Sequence, residues 1–206
     1  MAGSRVKSIG YIGLGNMGGP MAINLCRAGY EVYVYARNKT RLPAITDVGG
    51  TACASIRELA EKSDIVFTCL TDTNAVESVV FGEDGITAGA SPGTVLIDTS
   101  TISPDATVEM AKRFAQTCQG EWVDAPISGG SVGSEDGTLS IFVGSRPEDF
   151  ARLADVFNAI GQNITHMGPV GTGQTTKLIN QIFVSCSVAM LAEAVGLAER
   201  VGLDVD

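Results

Sequence analysis

The sequence has few basic residues and a single histidine. Its 206 residues include 14 lysines and arginines against 23 aspartates and glutamates, and the net charge is −9. A nucleic-acid surface needs a positively charged patch, so we do not expect a nucleic-acid partner. His166 lies in a predicted strand, and we interpret it as structural rather than as an acid–base group.

Cysteine pairs are also lacking. The five cysteines are odd in number, lie in apolar surroundings and show no C-x-x-C spacing: Cys26, Cys53, Cys69, Cys118 and Cys186. This pattern predicts buried thiols in a reducing compartment, with no disulfide and no metal site. The first residues run directly into a predicted strand and leave no room for a signal peptide, so we expect cytoplasmic residence.

Charge of either sign is sparse. Charged residues make up 18% of the chain and apolar residues 45%, which is enough for a substantial core. The length fits one large domain, or one domain and part of another.

The most informative stretch runs from Lys7 to Gly29. An apolar run meets a turn that we expect to line a cofactor site, Gly13-Leu14-Gly15-Asn16-Met17-Gly18, and a helical pattern follows. Strand, G-x-G-x-x-G turn and helix in this order are typical of dinucleotide binding. Gly13 permits the tight turn, Gly15 lets the backbone approach a pyrophosphate, and Gly18 lets helix and strand pack closely. A merely structural glycine turn is the alternative.

About 20 residues further on, the chain reaches the position that selects between NAD and NADP. An acidic residue there would bind the ribose 2′-hydroxyl and repel a 2′-phosphate. This sequence has Ala36 followed by Arg37, Lys39 and Arg41. Arg37 is suited to bidentate pairing with a phosphate. We therefore predict NADP as the preferred cofactor and NAD as the second choice, with a solvated basic helix start as the alternative interpretation.

Short apolar strands alternate with helical patterns through the middle of the chain. The predicted strands span 51–53, 64–70, 94–98, 122–124, 139–144 and 163–167, and the predicted helices span 55–61, 74–81, 104–117 and 147–159. This alternation predicts an α/β fold of the Rossmann type, a doubly wound parallel sheet with ligands at the carboxyl ends of the strands. Leu70, Thr71 and Thr101 follow two such strands, so we expect them to contact the cofactor, Thr101 near the nicotinamide.

A third stretch, Asp124 to Gly130, follows the next predicted strand. Gly129 and Gly130 expose consecutive backbone N–H groups, and Ser128 adds a hydroxyl. Such a nest can hold a carboxylate without a cationic side chain. A flexible turn explains the spacing equally well.

The last stretch, from about Gln174 to Val201, predicts a helix about 40 Å long with apolar residues on nearly every face. We divide the chain into a dinucleotide-binding domain, 1–168, and the start of a long interdomain helix, 169–206. Polar residues interrupt the apolar run and argue against a membrane span. We expect all-round burial of this helix under a further C-terminal region or, alternatively, under another subunit, and a homo-oligomer for the full-length protein.

Lys177, Asn180 and Gln181 share one face of that helix. A lysine among polar amides near a cofactor can have its pKa lowered by desolvation and can then give and take a proton. Taken alone, a lysine at a helix start is more often a solvated charge.

Four ordered motifs together resemble the β-hydroxyacid dehydrogenases: Gly13–Gly18 with Asn24-Leu25, Asp98–Thr101, Asp124–Gly130 and Gly171–Lys177. The resemblance covers essentially the whole chain. It implies reversible hydride transfer between a nicotinamide cofactor and a short semialdehyde or 3-hydroxy acid, a small carboxylate substrate.

The same resemblance implies a role for each matching residue. Lys177 would be the general acid and base, while Ser128, Gly129 and Gly130 would hold the substrate carboxylate and Thr101 would contact the cofactor. The family places an amide one turn after the lysine, where this chain has Gln181 preceded by Asn180. We assign the catalytic amide to Asn180 and substrate binding to Gln181, and which of the two contacts substrate stays open. A non-catalytic dinucleotide-binding module and an imine reductase are the alternatives.

Overall fold

The structure is a computed structural model that describes residues 8–205. Residues 1–7 and 206 lie outside it. They include Lys7, where the predicted nucleotide-binding stretch begins, and the N-terminal residues on which the expectation of no signal peptide rests.

The described residues alternate between strands and helices as the sequence predicts. The strands are β1 (Ser8–Ile12), β2 (Glu31–Tyr35), β3 (Thr51–Ala52), β4 (Ile65–Thr68), β5 (Val95–Asp98), β6 (Glu121–Asp124), β7 (Ile127–Ser128), β8 (Leu139–Gly144) and β9 (Gly161–Gly168). The helices are α1 (Gly18–Arg27), α2 (Pro43–Thr46), α3 (Ile56–Glu61), α4 (Thr73–Phe81), α5 (Ile86–Gly89), α6 (Pro104–Cys118), α7 (Gly130–Asp136), α8 (Pro147–Arg152), α9 (Ala154–Asn158) and α10 (Thr172–Arg200).

The strands form one sheet in the order β3-β2-β1-β4-β5-β6-β8-β7, and β9 pairs with β8. The first six strands in this order are parallel, which confirms the Rossmann-type prediction. Strand β8 runs antiparallel to β6 and β7 and parallel to β9. The sheet is therefore parallel around the cofactor site and mixed at the edge where α10 begins.

Helices cover both faces because the central strands are apolar on both sides. In β4, Ile65 and Phe67 belong to one hydrophobic cluster, and Val66 belongs to the cluster on the opposite face. Continuous apolar strands of this kind are typical of buried parallel sheets. The ring of Phe67 stacks on Tyr11 at 5.5 Å between centroids.

Several short elements differ from the prediction. The predicted helix over 147–159 is two helices, because Leu153 leaves helical geometry with ψ near 1°. Helices α2, α5 and α7 and strand β7 were not predicted; each has seven residues or fewer, too short for a clear periodic signal.

Helix α10 is buried only at its start. Gln174 and Lys177 are buried, whereas Phe183, Val188 and Leu191 are each more than 60% exposed. Residues 8–205 therefore do not supply the cover of this helix, which we expect from a further C-terminal region or from another subunit. By length and composition alone, α10 is the one helix of this part of the chain that could cross a membrane. The division of the chain at 168/169 stays a prediction.

The cysteines largely match the expectation of free thiols. All five are unpaired; Cys53 and Cys118 are buried, and Cys26 and Cys69 are partly buried. The prediction of burial is wrong for Cys186, which is exposed on α10.

Candidate active site

The glycine turn joins β1 to α1 at the carboxyl edge of the sheet. Gly13 has a φ of +103°, and a Cβ there would clash with the Cys69 carbonyl oxygen. A Cβ on Gly18 would clash with the Gly13 carbonyl oxygen. These two glycines are therefore required by the packing of the turn itself.

Gly15 differs from them because no packing contact within residues 8–205 requires a glycine there. Apart from Gly15 and its two chain neighbours, no atom of residues 8–205 lies within 4 Å of the place where its Cβ would be, and the residue is exposed. Gly15 and Asn16 line a cavity of about 600 Å³ beside α1. Open backbone at this point fits the approach of a pyrophosphate.

A second cavity, of about 480 Å³, lies at the carboxyl ends of β1, β2 and β4. Its walls include Ile12, Gly13, Leu14, Ile56, Leu70, Val79, Arg37, Asn38 and Arg41. Apolar walls, the glycine turn and two guanidinium groups fit an adenosine that carries a phosphate. Within residues 8–205 neither Arg37 nor Arg41 has an ion-pair partner.

The third cavity, of about 470 Å³, brings most of the other predicted residues together. It is lined by Met17, Leu70, Thr71, Thr101, Ser128, Gly129, Gly130, Lys177 and Gln181. They come from five separate parts of the chain. Because this cleft shares Leu70 with the adenosine cavity, the two form one route along the sheet edge for an extended dinucleotide.

Lys177 is the buried cation of this cleft. Its side chain is 7% exposed, and burial lowers its pKa from the ordinary lysine value. Among the described residues no group forms a hydrogen bond or ion pair with its amine. A desolvated, unpaired amine in a cleft is suited to proton transfer.

The loops that carry the predicted cofactor contacts are hydrogen-bonded to each other. The Leu70 N–H donates to the Ser100 hydroxyl at 2.9 Å, and the Thr99 N–H donates to the Thr68 carbonyl at 2.8 Å. Thr71 and Thr101 are exposed beside these contacts. Cys69 lies in the same cleft, where burial raises the pKa of its thiol to about 11 and keeps it neutral.

Ser128 links the predicted carboxylate nest to α10. Its hydroxyl donates to the Asn180 side-chain oxygen at 3.4 Å, while Gln181 lines the cleft. Gly129 and Gly130 have φ values of +136° and +65°, which few other residues adopt. The structure thus places both amides near the nest and assigns neither to the substrate.

Four residues near the adenosine cavity or the cleft were not predicted as functional. Arg41 and Asn38 line the adenosine cavity. The sequence shows the charge of Arg41, but the direction of its side chain depends on the 3₁₀ turn Lys39–Arg41. Asp124 and Gln174 were quoted only as parts of motifs, yet both are completely buried beneath the cleft.

His166 lies outside this arrangement. The His166 ring nitrogen contacts the Ser145 carbonyl at 2.9 Å, and the ring stacks on Phe150, in agreement with a structural role. Residues 8–205 contain no group of three or more His, Cys, Asp or Glu that could hold a metal ion.

Comparison with known proteins gives a consistent result. The sequence model of the NAD binding domain of 6-phosphogluconate dehydrogenase matches residues 8–168. The chain is 41% identical over 195 residues to the 2-(hydroxymethyl)glutarate dehydrogenase of Eubacterium barkeri, covering 95% of this chain and 64% of that protein. The chain belongs to the β-hydroxyacid dehydrogenase family.

Further relatives carry the same family signature. The 2-hydroxy-3-oxopropionate reductase of Escherichia coli is 41% identical over 203 residues, covering 95% of this β-hydroxyacid dehydrogenase chain and 66% of the relative. The solved 3-hydroxyisobutyrate dehydrogenase of Mycobacterium tuberculosis has a TM-score of 0.89 and 32% identity, covering 97% of this chain and 67% of that one. The chain thus spans about two thirds of the length of these relatives.

Two further structures bear on the cofactor and on the enzyme class. The structure of Psf3 in complex with NADP+ and 2-OPP has a TM-score of 0.88 and 26% identity, covering 95% of this chain and 69% of that one. The imine reductase from Pseudomonas sp. has a TM-score of 0.86 but only 23% identity, covering 96% of this chain and 68% of that one. The latter likeness supports the shared fold alone.

Proposed function

We propose that this chain forms the cofactor-binding and proton-transfer part of an NADP-dependent oxidoreductase. The reaction is reversible hydride transfer between the nicotinamide and a short semialdehyde or 3-hydroxy acid. The observation that carries the proposal is the buried, unpaired Lys177 amine in the same cleft as Thr101 and the Ser128–Gly130 nest.

The glycine turn, the adenosine cavity and the cleft that contains Lys177 would hold the dinucleotide. Gly15 and Asn16 would face the pyrophosphate, Arg37 and Arg41 the 2′-phosphate, and Thr101 the nicotinamide end. When bound, the nicotinamide supplies a hydride for reduction or accepts one in oxidation. The adenosine cavity and the cleft would then hold consecutive parts of one dinucleotide.

Lys177 manages the proton that accompanies the hydride. In reduction its ammonium gives a proton to the carbonyl oxygen while the carbonyl carbon gains the hydride, which produces the alcohol. In oxidation the free amine takes the hydroxyl proton as the hydride leaves the same carbon. Desolvation of the amine brings its pKa closer to neutrality, where proton transfer in both directions is efficient.

The nest at Ser128–Gly130 holds the substrate carboxylate without a cationic side chain. Backbone N–H groups at Gly129 and Gly130 are the donors, and the Ser128 hydroxyl joins them when its single proton turns from the Asn180 oxygen to the carboxylate. Asn180 orients that hydroxyl through its 3.4 Å contact, and Gln181 faces the substrate. This arrangement leaves Lys177 free for the reacting oxygen.

The relatives are longer than this chain, and the proposal assigns a role to the remaining third of their length. We infer that chain beyond α10, or a second subunit, covers the exposed apolar residues of α10 and completes the substrate site. Cytoplasmic residence stays a prediction, and relatives with mitochondrial names exist, such as that of Dictyostelium discoideum.

The test is an absorbance assay of NADPH and NADH with a panel of substrates. The panel contains glyoxylate, succinic semialdehyde, methylmalonate semialdehyde and 2-hydroxy-3-oxopropionate, with 3-hydroxyisobutyrate for the reverse reaction. The chain is assayed as given and extended at its C-terminus. We expect turnover with NADPH preferred, and we expect Lys177→Met to lower kcat by about 10²- to 10⁴-fold without loss of NADPH binding.

Two outcomes would contradict the proposal. Turnover retained in Lys177→Met would remove the lysine from proton transfer. Tight NADPH binding without turnover of any panel member, in either form of the chain, would favour a non-catalytic binding module.

A further inference from the structure

Two buried carboxylates lie side by side at the carboxyl edge of the sheet, beneath the cleft. Asp98 ends β5 and Asp124 ends β6, and the two residues are opposite each other in the parallel register. Both are completely buried. Neither carboxylate reaches the cleft surface, so each acts through the groups to which it is hydrogen-bonded.

Asp124 holds the first turn of α10. Its two carboxylate oxygens accept the backbone N–H groups of Gly171 and Gln174 at 2.7 and 2.8 Å. α10 has no capping side chain of its own, so a distant strand satisfies two donors that a helix start leaves free. Burial raises the pKa of Asp124 to about 6, and the two backbone bonds oppose that rise.

The approach of α10 to the sheet is as close as backbone permits. A Cβ on Gly173 would clash with the Phe142 carbonyl oxygen in β8. A Cβ on Gly144 would clash with the Asp124 carboxylate. The carboxylate is therefore enclosed between two glycines, and α10 cannot slide along β6 without breaking both hydrogen bonds.

Gln174 connects this helix start to the loop that carries Thr101. Its amide nitrogen donates to the Ser100 carbonyl at 2.8 Å, and its amide oxygen accepts the Ile102 N–H at 3.2 Å. The two bonds thus engage the residues on either side of Thr101. Asp98 supports the same loop by accepting the Ser100 N–H at 3.1 Å.

The primary amide of Gln174 has both the donor and the acceptor that these two bonds need. A carboxylate has no donor for the Ser100 carbonyl, and an ammonium has no acceptor for the Ile102 N–H. Lys177 follows three residues later, on the same side of the helix. The side chain of Gln174 is therefore a rigid spacer between the lysine and the cofactor loop.

We propose that Asp124 and Gln174 form a buried clamp that fixes the Lys177 amine relative to Thr101, as positioning residues for proton transfer. The inference rests on the proposed function for its kinetic consequence, while its structural part stands independently. Neither residue touches substrate or cofactor. A small displacement of the lysine is expected to reduce the rate of chemistry more than the binding of either ligand.

The test compares Gln174→Met, which keeps the length of the side chain and removes both hydrogen bonds, with Thr176→Val as matched control. The Thr176 hydroxyl donates only to the Thr172 carbonyl within α10, so its loss leaves the clamp intact. Circular dichroism establishes that each variant is folded. If Gln174→Met does not fold, Gln174→Glu, which keeps the acceptor for Ile102, replaces it.

The first measurement needs no turnover. Hydrogen exchange followed by mass spectrometry compares the peptides that contain residues 100–103 in the variants and in the unchanged chain. We expect faster exchange at 100–103 in the Gln174 variant and unchanged exchange in Thr176→Val. Equal exchange at 100–103 in all three proteins would overturn the clamp, whether or not the protein proves to be an enzyme.

The second measurement separates positioning from general structure. With the panel substrate that the unchanged protein turns over, we expect Gln174→Met to lower kcat by about 10- to 100-fold, with substrate KM and the NADPH Kd changed less than about threefold. Thr176→Val should keep kcat within about twofold. An unchanged kcat in a folded Gln174→Met would overturn the positioning role, whereas failure of the unchanged protein to turn over any substrate would overturn only the proposed function.

Discussion

Lys177 holds its charge where water is nearly excluded. The side chain is 7% exposed, and no carboxylate within residues 8–205 pairs with it. A buried ammonium without a partner is destabilising, and such groups cluster at functional sites. Burying this charge lowers the free energy of unfolding. This cost is the strongest physical reason to assign Lys177 a chemical role.

The lowered pKa of Lys177 predicts opposite pH profiles for the two directions of the reaction. Reduction needs the ammonium, so its kcat/KM falls as pH rises through that pKa. Oxidation needs the free amine, so its kcat/KM rises over the same range. The measurement is the pH dependence of both directions with one substrate pair, and parallel profiles would contradict the assignment.

The same shift also predicts an effect on stability. Between the lowered pKa in the folded state and the ordinary lysine value, the unfolded chain binds more protons, so the free energy of unfolding rises with pH. Lys177→Met removes the buried charge and therefore flattens this rise. Thermal unfolding measured at several pH values checks the sign.

Arg37 is expected to decide the cofactor preference. Arg37→Ala removes a charged hydrogen-bond donor worth about 1.5–3 kcal/mol, so it should weaken NADPH by about 10- to 100-fold and leave NADH nearly unchanged. Lys39→Ala is the control, because Lys39 has the same charge but does not line the adenosine cavity. Fluorescence titration of both cofactors decides, and equal weakening of NADPH and NADH would exclude a contact with the 2′-phosphate.

At the scale of elements, β1, the glycine turn and α1 act as one unit. Their glycines have separate tasks: Gly18 allows strand and helix to pack, and Gly15 leaves open backbone. The unit is also bonded to α7, because the Ser134 hydroxyl donates to the Met17 carbonyl at 2.5 Å and the Asn24 amide donates to the Ser134 carbonyl at 2.9 Å. The nucleotide turn and the carboxylate nest at the start of α7 therefore form a continuous support for the cleft.

Two glycine variants should separate packing from ligand binding. Gly18→Ala forces a Cβ against the Gly13 carbonyl and should lower the free energy of unfolding by about 1–3 kcal/mol. The added Cβ of Gly15→Ala meets no atom of residues 8–205 beyond its chain neighbours, so this variant should leave stability unchanged while weakening NADPH binding by about tenfold or more. Chemical denaturation and cofactor titration on both variants test this. If Gly15→Ala bound NADPH normally, the pyrophosphate would have to lie elsewhere.

At the scale of the whole molecule, a well-packed sheet carries a helix that largely lacks neighbours. Two apolar clusters fill the two faces of the sheet, whereas most of α10 beyond Lys177 is exposed within the described chain. Its apolar side chains are on most faces, including Ile182, Phe183, Val188, Met190 and Leu191. Such a large exposed apolar area indicates a surface meant for contact.

We expect the isolated chain to self-associate through α10. Replacing Phe183 and Leu191 by Gln removes apolar area at about 25 cal/mol per Å², so it should shift the protein towards monomer. Because these residues lie outside the core, the substituted chain should still fold. Sedimentation velocity with and without the two substitutions measures the change, and a monomeric unchanged chain would contradict the prediction. Flotation with neutral lipid vesicles distinguishes association between copies from membrane binding.

The sequence by itself determined the features that depend on residues close together in the chain. The glycine turn with its strand and helix, the alternation that makes the parallel sheet, and the common face of Lys177, Asn180 and Gln181 all follow from spacing over a few residues. The cofactor-binding class depends on the same local order. This is why those predictions agree with the structure and with the family comparison.

Only the tertiary structure decided how these pieces meet. The contacts of Asp124 with Gly171 and of Gln174 with Ser100 join residues 47 and 74 positions apart, and no local pattern marks either pair. The antiparallel course of β8 was equally unpredictable, because it depends on which strand edge remains free after the parallel sheet has formed. A periodic sequence specifies which face of a helix or strand is apolar. The order of the strands in the sheet decides which residues pack against that face.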